Sequence, residues 1–136
     1  VAAEDRTDSI WRMEVYRLAR YAAMRCGGVT AALRKSPIGF RTADQLHRAS
    51  WSIAANLAEG YGKSSVADRV RYYEIALGSA RECVVWCAAA RQVDDTISYS
   101  ELAELLCSIR RLLLTMIRTE RQRSGQKMPF GIMKKD

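Results

Sequence analysis

The sequence predicts an all-α protein, an antiparallel up-down four-helix bundle. Three observations carry this: four segments repeat apolar residues every three or four positions, no segment alternates as a strand does, and the breaks between segments are short. The length, 136 residues, gives room for one domain with its own core. With 49% hydrophobic and 27% charged residues and only two prolines, the composition excludes a disordered or low-complexity chain.

The first helical segment spans residues 8–35, with Trp11, Val15, Leu18, Ala22 and Cys26 along one side. Asp8 with Arg12 and Glu14 with Arg17 stand at ion-pair spacing on the other. Gly27-Gly28 ends or kinks it, and Ser36-Pro37-Ile38-Gly39 reads as a turn. Thr42-Ala43-Asp44-Gln45 has the form of a capping box and opens the second helix, which carries Leu46, Ala49, Ile53 and Leu57 and stops at Gly60-Tyr61-Gly62. Residues 65–68 cap the third, with Val66, Val70, Tyr73, Leu77, Ala80, Val84 and Cys87 as its inner stripe and an end near Arg91. Beyond a loop at 93–97, Ser98-Tyr99-Ser100-Glu101 is another capping box. The fourth helix follows to Arg118 with Leu102, Leu105, Leu106, Ile109, Leu113 and Met116 inward. The organisation is thus a bundle over residues 1–120 and a basic C-terminal tail over 121–136.

The middle pair of helices is too apolar for a bundle standing alone. Residues 49–58 contain no charge, nearly three turns, and Trp51, Ala54 and Ala58 point away from the stripe of Leu46, Ala49, Ile53 and Leu57. In the third helix Val85 and Trp86 lie off the main stripe as well. Such extra apolar area marks an interface, so a homo-oligomer is expected, with Trp51, Ala54, Ala58, Val85 and Trp86 as its candidate contacts. The competing reading is that long flanking side chains cover these faces within one subunit.

The run from Gln45 through His47-Arg48-Ala49-Ser50-Trp51-Ser52-Ile53-Ala54-Ala55-Asn56-Leu57-Ala58-Glu59-Gly60 to Gly62, then Arg69, Tyr72-Tyr73, Ile75-Ala76-Leu77-Gly78-Ser79 and Glu82, resembles the four-helix-bundle family encoded in bacterial 23S rRNA intervening sequences. That family carries a pattern like S-I-x-x-N-I-A-E-G followed by G-S-x-x-E, and the match covers about residues 37–118. The chain departs from it at Ala54, where the family often has proline, and in the loop 93–97, which lacks the usual glycine. The resemblance implies a cytosolic bundle without established enzymatic activity, assembled as a pentamer in some relatives. In architecture the chain is also similar to the accessory proteins of diversity-generating retroelements, which are basic and engage nucleic acid and a reverse transcriptase. A reverse transcriptase or another nucleoprotein is therefore a partner that the resemblance implies.

Charge favours a polyanion. The chain carries a net +7, and from residue 118 onward six bases (Arg118, Arg121, Arg123, Lys127, Lys134, Lys135) face only Glu120 and Asp136. Arginine forks suit phosphate oxygens, so these six are the candidate contacts to RNA or DNA. A purely solubilising tail is the plainer alternative, and with it a protein-interaction adaptor without a nucleic-acid role.

Arg48, Ser52 and Glu59 fall within about 40° on the second helix, with Asn56 beside them. One reading is a polar pocket facing Arg69, Tyr72 or Ser79. The other, preferred here, is structural: Asn56 and Glu59 tie the helix end to the turn at Gly60, and Gly78 and Ser79 allow close helix approach. Serine catalysis needs a neighbouring base, and the single histidine, His47, projects about 140° from Ser52, so no catalytic residue is assigned. Cys26, Cys83, Cys87 and Cys107 sit in apolar patterns as reduced core residues. Cys83 and Cys87 supply at most half a zinc site, so neither metal nor cofactor is expected. No run approaches the ~20 apolar residues of a membrane span, and the expected compartment is the cytoplasm.

Overall fold

A computed structural model describes residues 6–126, and all of their regular structure is helical. Four helices form the body: α1 (Glu14–Val29), α2 (Pro37–Tyr61), α3 (Val66–Val93) and α4 (Ser100–Gln126). Each packs on its chain neighbour, and α1 also packs on α4, closing the bundle. Side-chain pairs show the neighbours running antiparallel. Ser52 of α2 meets Ser79 of α3, and Gly60 lies against Tyr73. Arg69 and Glu74 of α3 meet Glu120 and Arg121 of α4, while Arg25 near the end of α1 meets Glu101 at the start of α4. No helix among the described residues is long and apolar enough to cross a membrane.

The first segment breaks into three pieces where one helix was expected. Asp8 accepts from the Ile10 N–H at 3.0 Å and so caps a 3-10 turn, Ser9–Arg12, instead of pairing with Arg12. α1 then runs through Gly27 and Gly28 and stops at Thr30, whose N–H and hydroxyl both bond the Cys26 carbonyl, at 3.0 and 2.6 Å. A second 3-10 turn, Ala31–Lys35, leads into α2.

α2 begins five residues before the expected capping box. Ser36 is extended and accepts from the Gly39 N–H at 3.1 Å, and Pro37 occupies the first helical position, where a missing N–H costs nothing. Thr42 donates its hydroxyl to the Ile38 carbonyl, so it is an interior helical residue and not a cap. With Ala54 in place of proline, α2 continues unbroken for 25 residues. The expected cap at Ser65 is present, its oxygen accepting from the Asp68 N–H at 3.2 Å. α4 continues to Gln126, beyond the expected end at Arg118, so Arg121 and Arg123 are helical residues and not part of a tail.

The core is built from small residues at the helix crossings and branched ones between them. Ala19, Ala22 and Cys26 of α1, Ala49 and Ile53 of α2, Ala76 and Cys83 of α3, and Ile109 and Leu113 of α4 are all fully buried. Val84, expected in the inner stripe of α3, is 55% exposed; Cys83 takes the inward position. Burial pushes the Cys26 thiol up to about 11 and the Cys87 thiol up to about 12, and raises Cys83 further. These buried thiols stay protonated at neutral pH and behave as small apolar residues.

Candidate nucleic-acid interface and the α2–α3 polar seam

A row of polar side chains crosses between α2 and α3. Asn56 donates to the Ser52 carbonyl at 2.8 Å and to its hydroxyl at 3.0 Å, one turn back on the same helix. The Ser52 and Ser79 hydroxyls share a hydrogen bond of 2.9 Å across the seam. One turn further, Arg48 holds Gln45 at 3.0 Å and donates to Glu82, which also accepts from the Trp86 indole N–H at 3.0 Å. Of the sequence-selected polar motif, Ser52, Asn56 and Ser79 thus form one hydrogen-bonded group along the seam, and Arg48 belongs to a second group a turn away.

Glu59 and Gly78 do not join it. Glu59 is exposed and, among the described residues, pairs with Lys63 at 3.6 Å, a contact between the last turn of α2 and the residue after its Gly62 cap. Gly78 faces outward, and a Cβ placed there meets nothing within 4 Å, so it allows no close approach inside the subunit. Gly60 does: a Cβ there would fall 2.7 Å from the Tyr73 ring. Of the other residues in the pocket reading, Arg69 turns to α4 instead, bonding Glu120 at 2.9 Å.

The seam has the chemistry of a structural joint. Ser52 is bonded to a serine and an amide, neither of which can take its proton, and His47 packs edge-on to Trp51 with ring centroids 6.5 Å apart. The Arg48–Glu82 pair is 56% and 37% exposed, so its charge attraction is largely screened.

The candidate interface residues separate in the same way. Ala54 is 5% exposed, inside the subunit's own core, which removes it as a contact residue. Trp51 is half-buried beneath Arg20, whose guanidinium lies 5.8 Å from its ring centre, and Trp86 is half-buried over Glu82. Side chains of the subunit thus cover part of both. Val85, 64% exposed, and Ala58 stay open, and so does Ile75, in the uncharged run 75–80 of α3.

The basic candidates divide at the end of α4. Arg118 is exposed with no carboxylate partner among the described residues. Arg121 pairs with Glu74 at 2.8 Å, and Arg123 reaches Glu120 at 4.0 Å. Lys127, Lys134 and Lys135 lie outside the described residues. Sequence reasoning missed Arg111, which is exposed one α-helical heptad before Arg118 and likewise lacks a carboxylate partner among the described residues. The signal was present: residues 105–119 hold Arg110, Arg111 and Arg118 and no acid at all. Arg111, Arg118 and Arg121 fall on one side of α4, within about 80° and over about 15 Å.

Residues 12–116 match the profile of a family described as 23S rRNA-intervening sequence protein. The fold is similar to a crystal structure from Bacteroides thetaiotaomicron VPI-5482, of a protein with unknown function from the S23 ribosomal protein family. The two share 25% identity with a TM-score of 0.69, over 76% of this chain and 95% of that one. Among curated proteins none matches. The matched segment takes in α1, α2, α3 and most of α4, and the chain belongs to the 23S rRNA-intervening sequence protein family.

Proposed function

We propose that this protein is a non-enzymatic homo-oligomeric scaffold, pentameric by resemblance, that binds nucleic acid through the arginine face of α4 and the basic residues beyond it. The observation that carries the binding is the acid-free stretch 105–119, which leaves Arg111 and Arg118 unneutralised on one exposed face. Guanidinium groups so placed meet phosphate oxygens without first giving up an internal partner. Assembly is supported by α3, where Ile75, Gly78 and Val85 share an outer face within about 80°. A glycine at mid-helix costs about 1 kcal/mol against alanine. Nothing within the subunit requires one at Gly78, whereas a neighbouring helix packing there would.

Fluorescence anisotropy with labelled single-stranded RNA of two unrelated sequences tests the binding. Three phosphate contacts imply roughly an 18-fold loss of affinity for a single strand between 50 and 200 mM salt. Charge reversal in R111E/R118E is expected to weaken both sequences by about tenfold or more, and by similar factors. Retention at 50 mM salt no greater than for a neutral control protein would refute the reading.

A further inference from the structure

Between α3 and α4, on the side opposite α2's seam with α3, an open groove runs along the surface. Its first part is a cavity of about 300 Å³ with Ala103, Leu106 and Cys107 in its lining and Arg81 and Arg110 beside them. Val84 and Ala103 also line a second cavity of about 520 Å³, which continues the groove to Arg91 and Tyr99. Val84, 55% exposed, is the larger of the two apolar side chains common to both. Arg81, Arg91 and Arg110 are exposed, and none has a carboxylate partner among the described residues; the contact of Arg110 is the Cys107 sulfur at 3.6 Å. Asp95 is the one acid in the lining. From Arg81 to Arg91 the groove follows α3 for about 15 Å, close to three helical turns.

We propose that this groove is a docking site for an acidic amphipathic helix of another protein. The floor gives such a helix an apolar strip to cover, and the three guanidinium groups meet carboxylates on either side of that strip. Nucleic acid fits less well, because phosphates gain nothing from Val84, Leu106 and Cys107. A second copy fits less well too, because a chain at +7 has no surplus of acid to offer. The site is separate from the α4 face of Arg111 and Arg118, so the proposal does not rest on nucleic-acid binding. Tyr99 closes the end of the groove with its ring, its hydroxyl buried without a hydrogen-bond partner among the described residues.

The test uses the full chain and two fluorescein-labelled helical peptides of about three to four turns, each with leucines at i, i+3, i+4 and i+7. One carries glutamates beside the leucine strip; the other carries lysines at the same positions. The glutamate peptide is expected to bind at least about tenfold more tightly, equivalent to about 1.4 kcal/mol. R81E/R110E, whose changes fall on exposed side chains and spare the core, is expected to reverse that preference. Val84→Asn is expected to weaken both peptides, and R111E/R118E to change neither. Equal binding of the two peptides, or an unchanged preference in R81E/R110E with a wild-type melting curve, would overturn the proposal. So would displacement of the glutamate peptide by single-stranded RNA in the R111E/R118E background, since nucleic acid would then be the occupant.

Discussion

Arg69→Ala is expected to destabilise the bundle by about 3 kcal/mol, lowering the melting temperature by about 10 °C. Arg69 lies at the start of α3 and holds three parts of the chain together. One guanidinium nitrogen donates to the Lys63 and Ser64 carbonyls of the α2–α3 connection, at 3.1 and 2.9 Å. The other donates to Glu120 of α4 at 2.9 Å. Both side chains are mostly buried, 19% and 12% exposed, so removing the arginine leaves the Glu120 carboxylate with only the exposed Arg123, at 4.0 Å, among the described residues. The Arg69 Nε is itself buried without a partner among the described residues, an offset against the gain of the pair. R69M/E120L should therefore recover most of the loss, since two apolar side chains leave no charge stranded. Thermal unfolding followed by circular dichroism decides it: a shift of Arg69→Ala within about 2 °C would show that the pair contributes nothing.

Gly39→Ala is expected to cost a similar amount, about 3 kcal/mol, although alanine is the better helix former by about 1 kcal/mol. A Cβ at this position would stand 2.0 Å from the Leu33 carbonyl oxygen and 2.9 Å from the Ser36 hydroxyl. The obstacle is backbone, so it cannot rotate aside. Either the 3-10 turn Ala31–Lys35 moves, taking buried Leu33 with it, or the first turn of α2 shifts off its cap. Ser36→Ala is the control, expected to cost only about 1 kcal/mol for the lost cap. Denaturant unfolding that ranks Gly39→Ala as milder than Ser36→Ala would contradict the close approach.

The helices and their order were legible because the apolar repeat is strong. Leu102, Leu106, Ile109 and Leu113 read as one stripe in the sequence and are one buried stripe in the structure. The boundaries were harder where one residue type serves two purposes. Gly39 reads as a breaker, yet it stands in the first turn of α2 because Leu33 leaves no room for a side chain. Thr42 with Gln45 has the spacing of a capping box, but Ser36 and Pro37 had already started the helix. In α3 apolar residues surround the helix, so periodicity alone could not separate inward Cys83 from outward Val84. The seam of Ser52, Asn56 and Ser79 was half visible: helical spacing placed its α2 members together, while the partner of each lone side chain depended on packing. That is why Glu59, close in angle to Ser52, ends beside Lys63 instead. For the basic face, counting bases toward the C-terminus hid the stretch before it, where the absence of acid matters more than the number of arginines.

Assembly is the claim on which the scaffold reading depends, and the molar mass in solution tests it most directly. Multi-angle light scattering at about 10 µM, where a specific interface of micromolar affinity or better is substantially formed, should give a multiple of 15.3 kDa, five-fold if the resemblance extends to subunit number. Gly78→Leu, which places a side chain where the subunit itself has open space, should lower that mass while leaving the helical signal intact. A mass of 15.3 kDa for the unmodified chain would contradict the account: Ile75, Gly78 and Val85 would then be an ordinary exposed face of a monomer.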